Sequence, residues 1–235
     1  MDLRAAQHAL VAAIYADAPP AAVPGLRSAR GLRVHRGNLA YGIAERLADA
    51  LPATTRHLGV DNVHWLAVAA TRRTPLSHAS ALPADGVVAV LSDLPDRTWL
   101  GELARFEWAL YRARRMAGLP AMPADTMATA LSTLADRAQV VCCPSTDVLA
   151  LSHGVVSAWD GDPTDDGPTG VLVWHRDGSA RFREIPVGLV RPMRAIGESP
   201  LGDVLTTHGA DALADGLGLL AESGLITDVR ESRRP

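Results

Sequence analysis

The chain contains no lysine; all 23 of its basic residues are arginine. That absence reads as the codon bias of a GC-rich genome, so it says little about partners. Aromatic residues are scarce, at 4%, although hydrophobic residues make up 48%. The core must therefore be built from Ala, Leu and Val, and a chain rich in Ala and Leu leans towards helix. No excess of positive charge exists either. The net charge is −3, so the molecule as a whole has no electrostatic reason to seek polyanions. No run approaches the ~20 apolar residues that span a bilayer. The first stretch, MDLRAAQHALVAAIYADAPP, has an acid at position 2 and a histidine inside its apolar run. It shows helical spacing, not the layout of a signal peptide. A cytoplasmic chain without a membrane segment is expected. The only cysteines, Cys142 and Cys143, are adjacent. Adjacent cysteines bridge only with strain, and two thiolates are too few for a tetrahedral zinc site. They read as reduced residues of a strand, in keeping with a reducing compartment.

A chain of 235 residues makes one large domain or two small ones. Residues 2 to 16 fit a first helix, with Leu3, Ala6, Leu10, Ala13 and Ile14 on one face. DAPPAAVPG ends it. Gly31 to Gly37 reads as an entry segment to a helix that begins near Asn38, with Leu39, Ile43, Leu47 and Leu51 at four-residue steps. Pro52 begins a short helix to His57, and Gly59 is its expected C-cap. Asp61 is expected to cap NVHWLAVAATRR. The clearest helix spans residues 96 to 118, with Asp96 at its N-cap and Leu100, Leu103, Glu107, Leu110 and Ala113 on one stripe. GLPAMPAD then marks a boundary.

Beyond that boundary the texture changes. AQVVCC and DVLALS are short apolar runs with β-branched content. GVVSAWDG fits either a helical turn or a strand, and DGDPTDDGPTG reads as an acidic loop. GVLVWHRDGSARFREIPV is the strongest hairpin signal: Val171 to Arg176, a turn at Asp177-Gly178, then Ala180 to Val187. PLGDVLTTHG and ADALADGLGLLAESG read as two helices before a strand, LITDVRE. The expectation is an α+β chain. An all-α N-terminal domain covers residues 1–120, and a smaller winged-helix-like domain with an antiparallel hairpin covers residues 137–235.

Glu107 lies on the same stripe as Leu103 and Leu110, so it should face the core, where an unpaired carboxylate costs several kcal/mol. Arg36, Arg46 and Arg56 are the available cations. The expectation is a structural ion pair joining Glu107 to Arg36 or Arg56, with no catalytic role. None of the histidines forms H-E-x-x-H or a Cys/His pair at ligand spacing, and no P-loop, nucleotide-binding glycine motif or nucleophile elbow occurs. No catalytic and no metal-ligating residue is therefore assigned. The helix-turn-helix is a poor DNA reader, because Ser199 to Val229 holds no Arg or Lys but has Asp203, Asp211, Asp215, Glu222 and Asp228. The hairpin offers a different role, since a sheet edge accepts a peptide strand by main-chain hydrogen bonding. Candidate peptide-binding residues are Val171, Val173, Trp174, Arg176, Arg181, Arg183 and Ile185, the arginines selecting an acidic partner. The plainer reading of those arginines is that they are solvated strand positions.

LRVHRGNLAYGIAERLADALPATTRHLG and LGELARFEWALYRA, together with a strand ending near Pro144, a hairpin ending in VGL and a helix pair finishing LI, resemble the HvfC/BufC-type family. That family carries a DNA-binding label. The resemblance covers most of the chain. Departures are His35 where Tyr is usual, Leu51 where an aromatic is usual and Phe106 where Leu is usual. Members of that family are partner subunits of multinuclear non-haem iron-dependent oxidative (MNIO) enzymes. Those enzymes modify cysteines of ribosomally made precursor peptides, as in the copper-binding bufferin and methanobactin pathways. The resemblance implies a chain without a cofactor of its own, paired as a heterodimer with an enzyme that holds the iron. It also implies binding of the precursor's leader peptide. The alternative is a DNA-binding transcription regulator.

Overall fold

The computed structural model describes Asp2 and residues 13–14, 29–74, 82–116, 118–161 and 167–232. Most of the expected first helix, His8, His78 and part of the acidic loop lie outside the described residues. The protein is α+β, with an all-α N-terminal region and small antiparallel sheets in the C-terminal part. Among the described residues no helix is long and apolar enough to cross a membrane.

The chain divides into two compact units. One holds residues 1–108 and 155–162, the other residues 109–154 and 163–235. The division differs from the expected domains at residues 1–120 and 137–235 in two ways. It falls inside a helix, and a short later segment returns to the first unit.

In the first unit the helices are α1 (Ala29–Ala50), α2 (Pro52–Leu58), α3 (Val63–Arg73), α4 (Ala84–Ser92) and the first part of α5 (Trp99–Arg115), together with the returning α7 (Val155–Asp160). The expected entry segment at Gly31–Gly37 is itself helical and belongs to α1. A glycine inside a helix costs about 0.5–1 kcal/mol relative to alanine. Burying Leu32 on the side shared with Ala40, Ile43 and Leu47 offsets this, at roughly 1.5–3 kcal/mol for a leucine. The Asp61 and Asp96 caps are not formed. Asn62 precedes α3 without a side-chain cap, and Asp96 sits three residues ahead of α5 with φ 61°. Helix α4 packs closely on α3 because Gly86 has no side chain: a Cβ there would lie 2.3 Å from the carbonyl oxygen of Ala70.

The return of α7 has a local cause. Arg56 Nη2 donates to the carbonyl of Trp159 at 2.9 Å and to that of Ala158 at 3.4 Å, and His57 Nε2 meets Ala158 O at 2.8 Å. These are carbonyls of the last turn of α7, which has no intrahelical partner for them. Trp159 also packs edge-on against Phe106, with ring centroids 5.9 Å apart.

The second unit contains α6 (Ala124–Leu134), α8 (Val190–Glu198), α9 (Leu201–His208), α10 (Ala210–Glu222) and five strands: β1 (Ala138–Cys142), β2 (Asp147–Leu151), β3 (Thr169–Arg176), β4 (Ser179–Ile185) and β5 (Ile226–Glu231). Strands β2, β3 and β4 form one antiparallel sheet in that order, and β1 pairs with β5 in another. The hairpin therefore precedes the helix pair in the chain, and the last strand pairs with β1, not with the hairpin. The core is built around Val140, Leu172, Met193, Ile196, Leu220 and Ile226. Helices α6 and α8 have no counterpart in the sequence reading. Helix α6 is rich in Thr and Ser, yet it sets Met127, Ala130, Leu131 and Leu134 against the core at helical spacing. Helix α8 carries Pro192 in its first turn, where proline is tolerated, and it buries Val190, Pro192, Met193 and Ile196.

Candidate functional site

The β3–β4 hairpin turns at Asp177 and Gly178, with φ of 52° and 78°. Two consecutive left-handed residues between paired strands are the signature of a type I′ turn, which aspartate-glycine favours. Register follows from it: Arg176 faces Ser179, Trp174 faces Arg181, Leu172 faces Arg183 and Gly170 faces Ile185. In a two-residue hairpin the flanking pair is hydrogen-bonded, and bonded and non-bonded pairs then alternate. Ser179, Arg181, Arg183 and Ile185 thus point their main-chain groups to β3. Ala180 and Glu184 point theirs away, across the outer edge of β4. That β4 has a single neighbour in the sheet, among the described residues, makes it an edge strand.

Strand β3 lies in the middle of the sheet, with β2 on one side and β4 on the other. This corrects part of the sequence reading. Val171 and Val173 are 0% exposed and Ile185 4%, so a peptide cannot reach their side chains. Trp174 is half-buried, with its Nε1 buried and lacking a hydrogen-bond partner. The physical reason is that Val171, Leu172 and Val173 form a continuous apolar run buried on both faces of the sheet, which leaves no side-chain face of β3 for a ligand. Arg176, Arg181 and Arg183 are exposed. Arg176 Nε lies 3.7 Å from the carboxylate of Asp177, and Arg183 Nη1 lies 3.4 Å from that of Glu222. Both are solvent-exposed pairs of the kind that contribute little and exchange readily. The edge positions Ala180 and Glu184 went unassigned from sequence. The two-residue turn was the signal that could have found them, because it fixes which residues face outward.

Glu107 is 2% exposed, as its stripe required. Its partners are not arginines. Oε1 accepts the N–H of Ala53 at 2.7 Å and Oε2 that of Thr54 at 2.8 Å. The carboxylate caps the N-terminus of α2, where orphan N–H groups and the positive end of the helix dipole lie. Arg36 donates instead to Ala13 O at 3.3 Å, Arg46 to Gly42 O at 3.0 Å, and Arg56 to the carbonyls of α7. The expected Arg36–Arg56–Glu107 ion pair is therefore replaced by a charge-assisted cap. Two N–H groups meet a carboxylate in a dry site without dragging a guanidinium out of water. Burial raises the pKa of Glu107 above its ordinary value. The bonds from Thr54 and Ala53, and the more remote charge of Arg56, oppose that rise.

The cysteines are both free thiols. Burial, then the neighbouring Cys143, pushes Cys142 up to about 11. Burial also acts to raise Cys143, but hydrogen bonds from the Ser145 hydroxyl and from the N–H groups of Leu119 and Ser145 outweigh it and hold that thiol below its ordinary value. Cys143 Sγ and Ser145 Oγ are 3.1 Å apart, and Ser145 Oγ accepts the N–H of His175 at 3.3 Å. Among the described residues no group of three or more His, Cys, Asp and Glu side chains could hold a metal ion. In α9 and α10, Asp203, Asp211, Asp215 and Glu222 are exposed, a face that repels phosphate.

No protein-family model matches the chain, and no curated protein sequence matches it either.

Proposed function

We propose that the chain is a non-catalytic partner protein that binds an iron-dependent oxidative enzyme in the cytoplasm. It would present to that enzyme the leader peptide of a ribosomally made, cysteine-containing, copper-binding precursor. The resemblance of LRVHRGNLAYGIAERLADALPATTRHLG and LGELARFEWALYRA to the HvfC/BufC type supports the enzyme partner. The observation that carries peptide binding is the outer edge of β4, which offers main-chain groups at Ala180 and Glu184 flanked by exposed Arg181 and Arg183. An extended leader segment adds there as a fourth strand, and acidic side chains on it meet the two arginines.

Proline at Glu184 tests this reading. It removes an N–H that the β3 ladder does not use and places a ring on the edge, which blocks a further strand and spares the sheet. Glu184→Pro is expected to weaken leader binding by about tenfold or more, the loss of one or two main-chain hydrogen bonds, with an unchanged circular dichroism spectrum. Unchanged affinity would overturn strand addition at β4. Failure to co-purify with an iron-dependent oxidative enzyme encoded beside it would overturn the partner assignment.

A further inference from the structure

Cross-strand register settles which face of the hairpin each β4 side chain shares. Leu172 faces Arg183, and Trp174 faces Arg181. Residues paired in this way carry their side chains on the same face. Leu172 belongs to the core that α8 and α10 complete, so Arg181 and Arg183 lie on the α10 face of the sheet. Ala180, Phe182 and Glu184 take the other face by alternation. The same three residues point their main-chain groups outward, because bonded and non-bonded pairs alternate from the turn. A strand that joins this edge therefore sets alternate side chains beside Arg181 and Arg183, with about 4.5–5.5 Å between Cβ atoms.

One of these two arginines already has an acidic neighbour. Glu222 Oε2 lies 3.4 Å from Arg183 Nη1. Glu222 is the last residue of α10, and the last turn of that helix has no basic residue. A carboxylate there meets the negative end of the helix dipole, and Arg183 offsets that repulsion from outside the helix. The two side chains are 51% and 69% exposed, so the pair opens readily. Arg181 forms no ion pair among the described residues. Glu184 is exposed on the opposite face.

We propose that Glu222 is a built-in competitor for the peptide, standing where a carboxylate of the added strand belongs. The strand must displace Glu222 from Arg183 to bind. This role rests on strand addition at β4 and sharpens it into a selection rule. The strand that fits carries carboxylates two residues apart, one beside Arg181 and one that replaces Glu222 at Arg183. A one-residue slip would turn both carboxylates to the face of Glu184, whose like charge opposes them.

The probe is an end-blocked peptide of seven residues, the length of β4, that alternates valine with aspartate. Its valine–asparagine counterpart is the uncharged control. Binding to the full chain at about 0.1 M salt is followed through the main-chain amide resonances of Ala180, Phe182 and Glu184. The aspartate peptide should bind about three- to tenfold more tightly than the asparagine peptide, as two cross-strand charge pairs imply. Glu222→Gln should tighten the aspartate peptide by about two- to fivefold more and leave the asparagine peptide unchanged. Asp211→Asn removes the same charge from the other end of α10, roughly 16 Å away along the helix, and should change neither affinity. Equal gains in Glu222→Gln and Asp211→Asn would reveal a general charge effect and overturn the competitor role. So would an unaltered affinity of Glu222→Gln for the aspartate peptide. Equal binding of the two peptides at the β4 amides would refute the selection rule and leave strand addition standing. Absence of saturable binding by either peptide would sink strand addition, and the competitor role with it.

Discussion

Removing Glu107 should be among the more damaging single changes in the helical unit. In Glu107→Ala the N–H groups of Ala53 and Thr54 lose the acceptors they meet at 2.7 and 2.8 Å, in a site that water does not reach. Each orphaned buried donor costs about 1–3 kcal/mol. The lost methylene adds about 0.8 kcal/mol. Relief from burying a charge offsets part of this. A net loss of about 3 kcal/mol is expected, which lowers the melting temperature by roughly 6–12 °C for a chain of this size. Glu107→Gln retains one acceptor and turns an NH₂ towards the second N–H, so a smaller loss of about 1–2 kcal/mol is expected. The pH dependence adds an independent readout. Burial, opposed by the Thr54 and Ala53 bonds, leaves the folded-state pKa above 4.5, so the folded protein takes up this proton before the unfolded chain does. The stabilising contribution of this titration is fully present below the unfolded pKa and is lost as pH rises through the raised folded pKa. Glutamine cannot titrate, so the gap between wild type and Glu107→Gln should narrow as pH rises across that window. Urea denaturation followed by tryptophan fluorescence at several pH values measures both effects. A loss under about 1 kcal/mol in Glu107→Ala would refute the capping role, and a gap that widens with pH would refute burial as the dominant influence on the carboxyl.

Arg56→Ala removes the donors to Trp159 O and Ala158 O. It should cost about 1–2 kcal/mol and speed proteolytic cleavage near residues 155–162, read by mass spectrometry of the fragments. Gly86→Ala places a Cβ 2.3 Å from Ala70 O, so α3 and α4 must separate. A loss of about 1–3 kcal/mol in urea denaturation is expected, whereas an unperturbed midpoint would mean that the two helices do not approach this closely. Cys142, with its thiol pushed up to about 11, should resist iodoacetamide at pH 8 in the folded protein and react once unfolded. Rapid native labelling of Cys142 would contradict its burial.

The hairpin and the stripe of α5 were legible in the sequence because both are local patterns. Asp177-Gly178 between two strand-prone runs dictates a turn whatever surrounds it, and the three- and four-residue spacing of Leu103, Glu107 and Leu110 places them on one face. The same logic failed for α6 and α8, where threonine, serine or an internal proline weakens the local signal. Packing of Met127, Leu131, Met193 and Ile196 supplies the helical stability there.

By itself, then, the sequence determined that Glu107 is buried, that the hairpin turns at Asp177-Gly178, and that the C-terminal helix pair is acidic. The tertiary structure alone decided that Glu107 caps a helix and does not pair with arginine. It also decided that β3 is flanked on both sides, that β4 has a single strand neighbour among the described residues, and that residues 155–162 return to the helical unit. Periodicity records which side of an element avoids water. The identity of what lies against that side depends on segments 50 or 100 residues away, as with Glu107 and Ala53 (54 apart) or Arg56 and Trp159 (103 apart), and no local pattern encodes that pairing.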